Sequence, residues 1–229
     1  MEIKKKFILT IVLLSYLATA INGAIVITGL ENMAKDLDLN QSVLSWVQNS
    51  YVLAWGCFML LGGRLSDAFG RRGILNLSLL LFGIGSLFAG IATSATILIF
   101  SRFIQGVGAS ILAPTSLALI MDYFTGEERI KAIAWYSSIS GLGMCIGLVI
   151  GGTLASFFSW RYGFFIYLPL IVFMLIVSMK VLNKNKQKHS KGYFDICGTI
   201  ASVIGIFSFV YAVNGASNIW PVSYTHLTL

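Results

Sequence analysis

A chain of 229 residues that is 57% hydrophobic and only 11% charged, with a mean hydropathy of +0.83, cannot cover itself with polar surface as a water-soluble domain does, since about a quarter of the residues of such a domain are charged. The composition is that of an integral membrane protein, and it excludes soluble enzymes and soluble binding modules. The net charge of +7 sits between long apolar runs, so it marks the ends of membrane spans and is not a nucleic-acid footprint.

In chain order, uncharged windows cover residues 7–30, 43–62, 73–101, 103–121, 132–160, 162–179 and 196–221. Most reach the ~20 residues a helix needs to cross a bilayer, and they predict seven spans in an all-α membrane protein. The first follows Met1–Lys6, is too long for the apolar core of a signal peptide and ends at Glu31 without a small-residue cleavage site, so it is an uncleaved helix. The third window is too long for one span. Using Thr93-Ser94-Ala95 as a turn starts the fourth helix early and places Arg102 roughly 10 Å inside it; the alternative ends the third span at Ser101 and leaves Arg102 at an interface. Thr125-Gly126-Glu127-Glu128 has the spacing of a capping box opening the fifth span. Trp46, Trp160 and Tyr162 at one set of span ends, and Tyr123, Phe124, Tyr193 and Phe194 at the other, are predicted interfacial anchors.

After the sixth span, residues 183–194 form a polar, cationic linker without apolar periodicity. It separates a six-helix unit, residues 1–182, from the seventh span, residues 195–221. Val222–Leu229 reads as a translated sequencing adapter, so the chain is expected to be an amino-terminal fragment that requires a missing carboxy-terminal half.

If the spans alternate, thirteen Lys and Arg residues fall on one side and only Lys35 and Arg161 on the other. The positive side faces the cytoplasm, so the amino terminus is expected to be cytoplasmic in a multi-pass protein of a bacterial inner membrane. Cys57, Cys145 and Cys197 have no paired spacing, and the single native histidine, His189, lies in the linker. No metal site, cofactor, phosphate-cradling loop or nucleic-acid partner is expected, and no enzyme active site. The expected partners are the lipid bilayer and a small molecule.

Three strings carry more than topology. Gly63-Arg64-Leu65-Ser66-Asp67-Ala68-Phe69-Gly70-Arg71-Arg72 is a charged, glycine-punctuated connection between two apolar runs. Arg102-Phe103-Ile104-Gln105-Gly106-Val107-Gly108-Ala109 puts an ionised side chain inside a span, where it must find polar company. In the fifth span, Gly143, Gly147 and Gly151 recur every fourth residue, with Gly152 beside the last, leaving one helical face as bare backbone for another helix to approach.

The first string resembles the G-x-L-[SA]-D-x-x-G-[RK]-[RK] loop between the second and third helices of major facilitator superfamily transporters. The second resembles the family's R-x-x-Q-G-x-G-A segment, and Gly143 to Gly152 its antiporter motif, with Leu148 in place of the usual proline. Trp160-Arg161-Tyr162-Gly163-Phe164-Phe165-Ile166-Tyr167-Leu168-Pro169 is similar to W-R-W-x-F-x-I-N-x-P of the fourteen-helix drug:proton antiporter branch. The resemblance implies the six-helix amino-terminal half of a major facilitator fold plus a seventh transmembrane helix. It implies a secondary transporter that exports drugs or other small amphipathic compounds in exchange for protons; uptake of a sugar or organic acid is the alternative, and the glycine string speaks against it.

By the same resemblance Gly63, Arg64, Asp67, Gly70, Arg71 and Arg72 form a conformational gate with Asp122, Asp67 facing a helix of the second half and Arg71 pairing with Asp122. Asn22, Tyr51, Arg102, Gln105, Gly106 and Trp135 are the expected lining of the substrate and proton cavity. Asn22 stands where the branch carries an aspartate, so the first span brings no proton carrier, and neutral or anionic compounds are expected to be preferred over cations.

Overall fold

The computed structural model describes residues 2–182 and, beyond them, 198, 201, 204, 205, 207–209 and 212. The predicted linker, nearly all of the seventh span and residues 222–229 lie outside the described residues. Six membrane-length helical segments are present within 2–182: α1 (Glu2–Leu37), α2 (Gln41–Phe69), α3 (Arg71–Gly90), α4 (Ala95–Tyr123), α5 (Gly126–Phe157), and a sixth built from α6 (Tyr162–Phe165) and α7 (Tyr167–Val181). Ile166 between α6 and α7 keeps helical dihedrals, so the two run on as one span.

Helix ends are set by local chemistry. The Asn40 side chain accepts the Val43 amide at 2.9 Å to start α2, and Ser94 does the same for Ile97 at 3.4 Å to start α4. The predicted turn at Thr93–Ala95 is therefore observed, and Arg102 is inside α4. α1 stops where Asp38 turns left-handed at φ 50° and Leu39 N–H donates to the Ala34 carbonyl at 2.9 Å.

Four expectations need correction. The charged string is not a loop of ten residues: α2 continues as helix to Phe69, and only Gly70, at φ 94°, breaks it. Backbone hydrogen bonding ends when a residue leaves helical space, whereas the apolar window ended at the first charge. The capping box is not formed, because Thr125 makes no side-chain cap bond. Instead Arg129 folds back on the end of α4, donating to the carbonyls of Phe124 at 2.8 Å and Met121 at 3.1 Å, a cation placed where a helix terminus is negative. Finally, Trp160 and Phe124 are buried in the protein, not turned to lipid: Trp160 donates its indole N–H to Asp36 and Phe124 lies under Lys5.

α4 is packed between α2 and α3, and α1 against α5. Small residues make both approaches possible. A methyl added at Gly62 of α2 would lie 2.6 Å from the Ile111 Cα of α4, and one at Gly85 of α3 would lie 2.7 Å from the Gln105 nitrogen. Lipid supplies no hydrophobic drive between helices, so close packing of this kind and the hydrogen bonds between helices hold the bundle together.

At the end of the bundle where α1 finishes, Arg161 closes a clasp. Its guanidinium pairs with Asp36 of α1, donates to the Ala92 carbonyl after α3 at 3.0 Å and stacks on Trp160 with its Cζ 4.4 Å from the ring centroid. The Arg161 hydrogen bond holds the Asp36 carboxyl below the usual carboxylate range.

Candidate functional site

Two groups of side chains stand out, one inside the bundle and one at its basic end. Inside, Arg102 is 1% exposed. Its Nη1 donates to Asn22 Oδ1 of α1 at 2.7 Å and to Gln105 Oε1 one helical turn on; its Nε donates to the Val47 carbonyl of α2 at 3.3 Å. The Tyr51 ring lies against the guanidinium, 4.2 Å from Cζ to centroid, and the Phe164 ring is 6.0 Å away. Gln105 Nε2 passes the chain on to Ser86 Oγ of α3 at 2.8 Å, and Ser86 donates to the Phe82 carbonyl at 2.8 Å. One hydrogen-bonded network thus ties α1, α2, α3 and α4 at a single level.

Helical spacing explains the R-x-x-Q-G-x-G-A string. Arg102 and Gln105 share a face and meet the polar groups. Gly106 follows because a Cβ there would collide with the Tyr51 carbonyl, and Gly108 because one there would sit 2.5 Å from the Phe82 nitrogen. The glycines let α2 and α3 close on the arginine.

Asn22, Tyr51, Arg102, Gln105 and Gly106 are therefore brought together. Trp135 is not: it is 59% exposed on α5, in a groove at the basic end with Lys5, Lys6, Leu9 and Glu128. The polar cavity expected around Arg102 is not open here: the side chain is enclosed. Sequence reading passed over Ser86 and Tyr167, both fully buried beside this network. The position of Tyr167 inside the Trp160–Pro169 string was the available signal; Ser86 had none, because a serine in an apolar helix has no distinguishing spacing.

At the basic end, Arg71 opens α3 across Gly70. Its Nη1 pairs with Asp67 of α2 and donates to Ser66 Oγ at 3.1 Å, while its Nε reaches Asp122 of α4 at 3.1 Å. The arginine binds both acids at once and joins the ends of α2, α3 and α4. Arg64 is exposed and Arg72 half-buried. Gly63 lies mid-helix with its would-be Cβ 3.7 Å from Pro114.

The α5 stripe faces α1. Methyls at Gly143 and Gly147 would each meet an α1 alanine Cβ, Ala20 and Ala24, at 2.7 Å, and one at Gly151 would lie 2.8 Å from the Ile25 Cα. Gly152 has open space and takes no part. Nearer the basic end the same two helices stack Tyr16 on Tyr136, centroids 4.1 Å apart.

Among the described residues, six membrane-length helices close round a buried polar centre, with an ion-paired junction at one end. The profile of the Major Facilitator Superfamily matches residues 12–212, and the chain belongs to that family. It is 35% identical over 213 residues to the puromycin resistance protein pur8 of Streptomyces alboniger, covering 93% of this chain and 42% of that protein. It is 30% identical over 211 residues to the multidrug transporter protein MdtP of Bacillus subtilis, covering 92% of this chain and 39% of that one. The chain thus spans about two fifths of the length of these relatives. Among solved structures, a peptide transporter POT in complex with sulfate superposes with a TM-score of 0.69 at 17% identity, over 97% of this chain and 47% of that chain, a likeness of fold alone.

Proposed function

We propose that this chain is the amino-terminal part of a secondary transporter that exports small amphipathic compounds across a bacterial cytoplasmic membrane by alternating access, in exchange for protons. The observation that carries export is the α5 glycine face pressed against the α1 backbone at Gly143, Gly147 and Gly151, the packed form of the string that resembles the antiporter motif. The names of the relatives, puromycin resistance and multidrug transport, support it. In this proposal the Arg71 junction acts as the gate, Asn22, Tyr51, Arg102, Gln105 and Gly106 form the polar centre beneath the cavity, and Trp135 lies at its basic mouth. The proton carrier belongs to the rest of the intact protein, because every acidic side chain among the described residues lies toward a helix end: Glu2, Glu31, Asp36, Asp38, Asp67, Asp122, Glu127 and Glu128. Expressed full length in a drug-sensitive host, the protein should lower accumulation of its substrates, and an uncoupler that collapses the proton gradient should restore it. Accumulation raised by expression would mean uptake, and efflux indifferent to the uncoupler would end the proton assignment.

The orientation follows from charge, with the amino terminus and the Gly70 and Phe124 turns in the cytoplasm. In a background lacking the native cysteines, a cysteine at Lys188 should resist an impermeant thiol reagent in whole cells, and one at Asp38 should react. The opposite pattern would invert the topology.

A further inference from the structure

At the end of the bundle where α1 finishes, α2 and α4 leave a groove between them. It encloses about 380 Å³ and is lined by Trp46, Ser50 and Leu53 of α2 and by Phe100 and Phe103 of α4, and Phe207 of the seventh span completes the lining. The steps of three and four residues along each helix make the walls two facing stripes. None of the described residues that line it is charged. Its floor adjoins the polar centre: Ser50 is 4% exposed and donates to the Val47 carbonyl at 3.5 Å, and the same carbonyl accepts Arg102 Nε at 3.3 Å.

An apolar, aromatic groove at membrane depth takes an apolar cover, either lipid or more of the chain. Depth favours the chain. The described residues of the seventh span, 198, 201, 204, 205, 207–209 and 212, are helical. α7 finishes at the basic end, so the span that follows starts there. Counted from Ile196 at about 1.5 Å per residue, Phe207 stands roughly 16 Å into a core of ~30 Å and so roughly 14 Å from the far side. Ser50 and Phe103, counted from the starts of α2 and α4, stand roughly 12–14 Å from that same side. Ring and groove therefore match in level. Reach is no obstacle either, since residues 183–194 extend to as much as about 40 Å, several helix diameters of about 10 Å.

We propose that the groove between α2 and α4 is the docking surface of the seventh span, keyed by Phe207, and that the span is thereby a fixed side wall of the six-helix unit. The Phe207 ring meets aromatic walls on both helices, where ring contacts add to area burial, and close packing is what joins helices within a bilayer. Seated there, it presses α2 and α4 together beside the Val47 carbonyl that holds Arg102. The dock does not depend on the export proposal.

The test uses the full-length protein in its native membrane with p-benzoylphenylalanine, a photoreactive aromatic residue, in place of Phe207. After illumination and tryptic digestion, the peptide that begins at Gly192 should be joined to the α2 peptide 36–64 or to α4 within residues 96–103. Adducts with lipid alone, or with the α7 peptide 162–180, would overturn the dock. The same probe in place of Phe209, which is 70% exposed, should give mainly lipid adducts; joining to α2 or α4 as readily as from position 207 would remove Phe207 as the key. Phe207→Ala should lower the unfolding midpoint by several degrees and Phe209→Ala should not. A midpoint unmoved by Phe207→Ala would likewise end its role as the anchor. Failure of the efflux assay with the cross-link intact would sink export and leave the dock standing.

Discussion

Gly147→Leu is expected to abolish efflux by the intact protein and to reduce its folded yield at least tenfold, while Gly152→Ala leaves both near the parent level. The contrast comes from what each new Cβ would meet. At Gly147 it would fall 2.7 Å from Ala24 Cβ and 2.9 Å from the Ile21 carbonyl, and neither is the yielding end of a flexible side chain. The helices have to part, which withdraws the neighbouring contacts at Gly143 and Gly151 as well. Overpacking of this kind costs about 1–3 kcal/mol at a single site, against a total stability of only about 5–15 kcal/mol for a typical domain. At Gly152 there is nothing within 4 Å, and alanine is the better helix former by roughly 1 kcal/mol. Size-exclusion profiles of the detergent-solubilised protein and efflux rates check the pair. Equal behaviour of the two variants would mean that the α1–α5 contact is not what holds this half together.

Asp67→Asn is expected to slow transport by up to about fivefold with the substrate dissociation constant nearly unchanged. Asp67 lies at the basic end, on the last turn of α2, and touches Arg71 and not the polar centre. Removing its charge leaves the Arg71 bond to Asp122 at 3.1 Å and takes away one of the interactions that hold the ends of α2, α3 and α4 in register. An exposed ion pair of this type is worth about 0.2–1 kcal/mol, and an equilibrium between two conformations shifts by no more than the difference in free energy applied to it. The rate therefore falls by a bounded factor and does not vanish. Transport and equilibrium binding measured on the same preparation separate the two quantities. A weakened dissociation constant with an unchanged turnover would place Asp67 in the binding site and remove it from the gate.

How much of this was legible beforehand differs from element to element. The start of α4 at Ala95 followed from bilayer thickness, which the third apolar window exceeded; the Ser94 cap that fixes it was seen only in the structure. The end of α2 did not, since the helix ran through Gly63 and Arg64 to Phe69 where a loop was expected; a charge ends the hydrocarbon layer, but only a change of backbone conformation ends a helix. Thr125 carried the residue pattern of a cap yet makes no side-chain bond to the amides that open α5, while Arg129 covers a different set of groups, the carbonyls at the end of α4. Trp160 looked like an interfacial anchor and was claimed by Asp36, 124 positions away.

The amino-acid sequence by itself determined that this is a helical membrane protein with six spans before residue 183, which spans carry an ionised side chain and a bare face, and which family the chain resembles. These properties depend on hydrophobic length, on the requirement that backbone groups be satisfied within each segment, and on residue spacing along one helix. Only the tertiary structure decided that Asn22, Tyr51, Gln105 and Tyr167 gather round Arg102, that Trp135 stands apart, and that Gly147 belongs to the helix contact while Gly152 does not. Those facts depend on how far each helix rotates and slides against its neighbours. In a bilayer that choice is made by close packing between backbones and by the few polar groups that must meet, neither of which is visible in the order of residues along the chain.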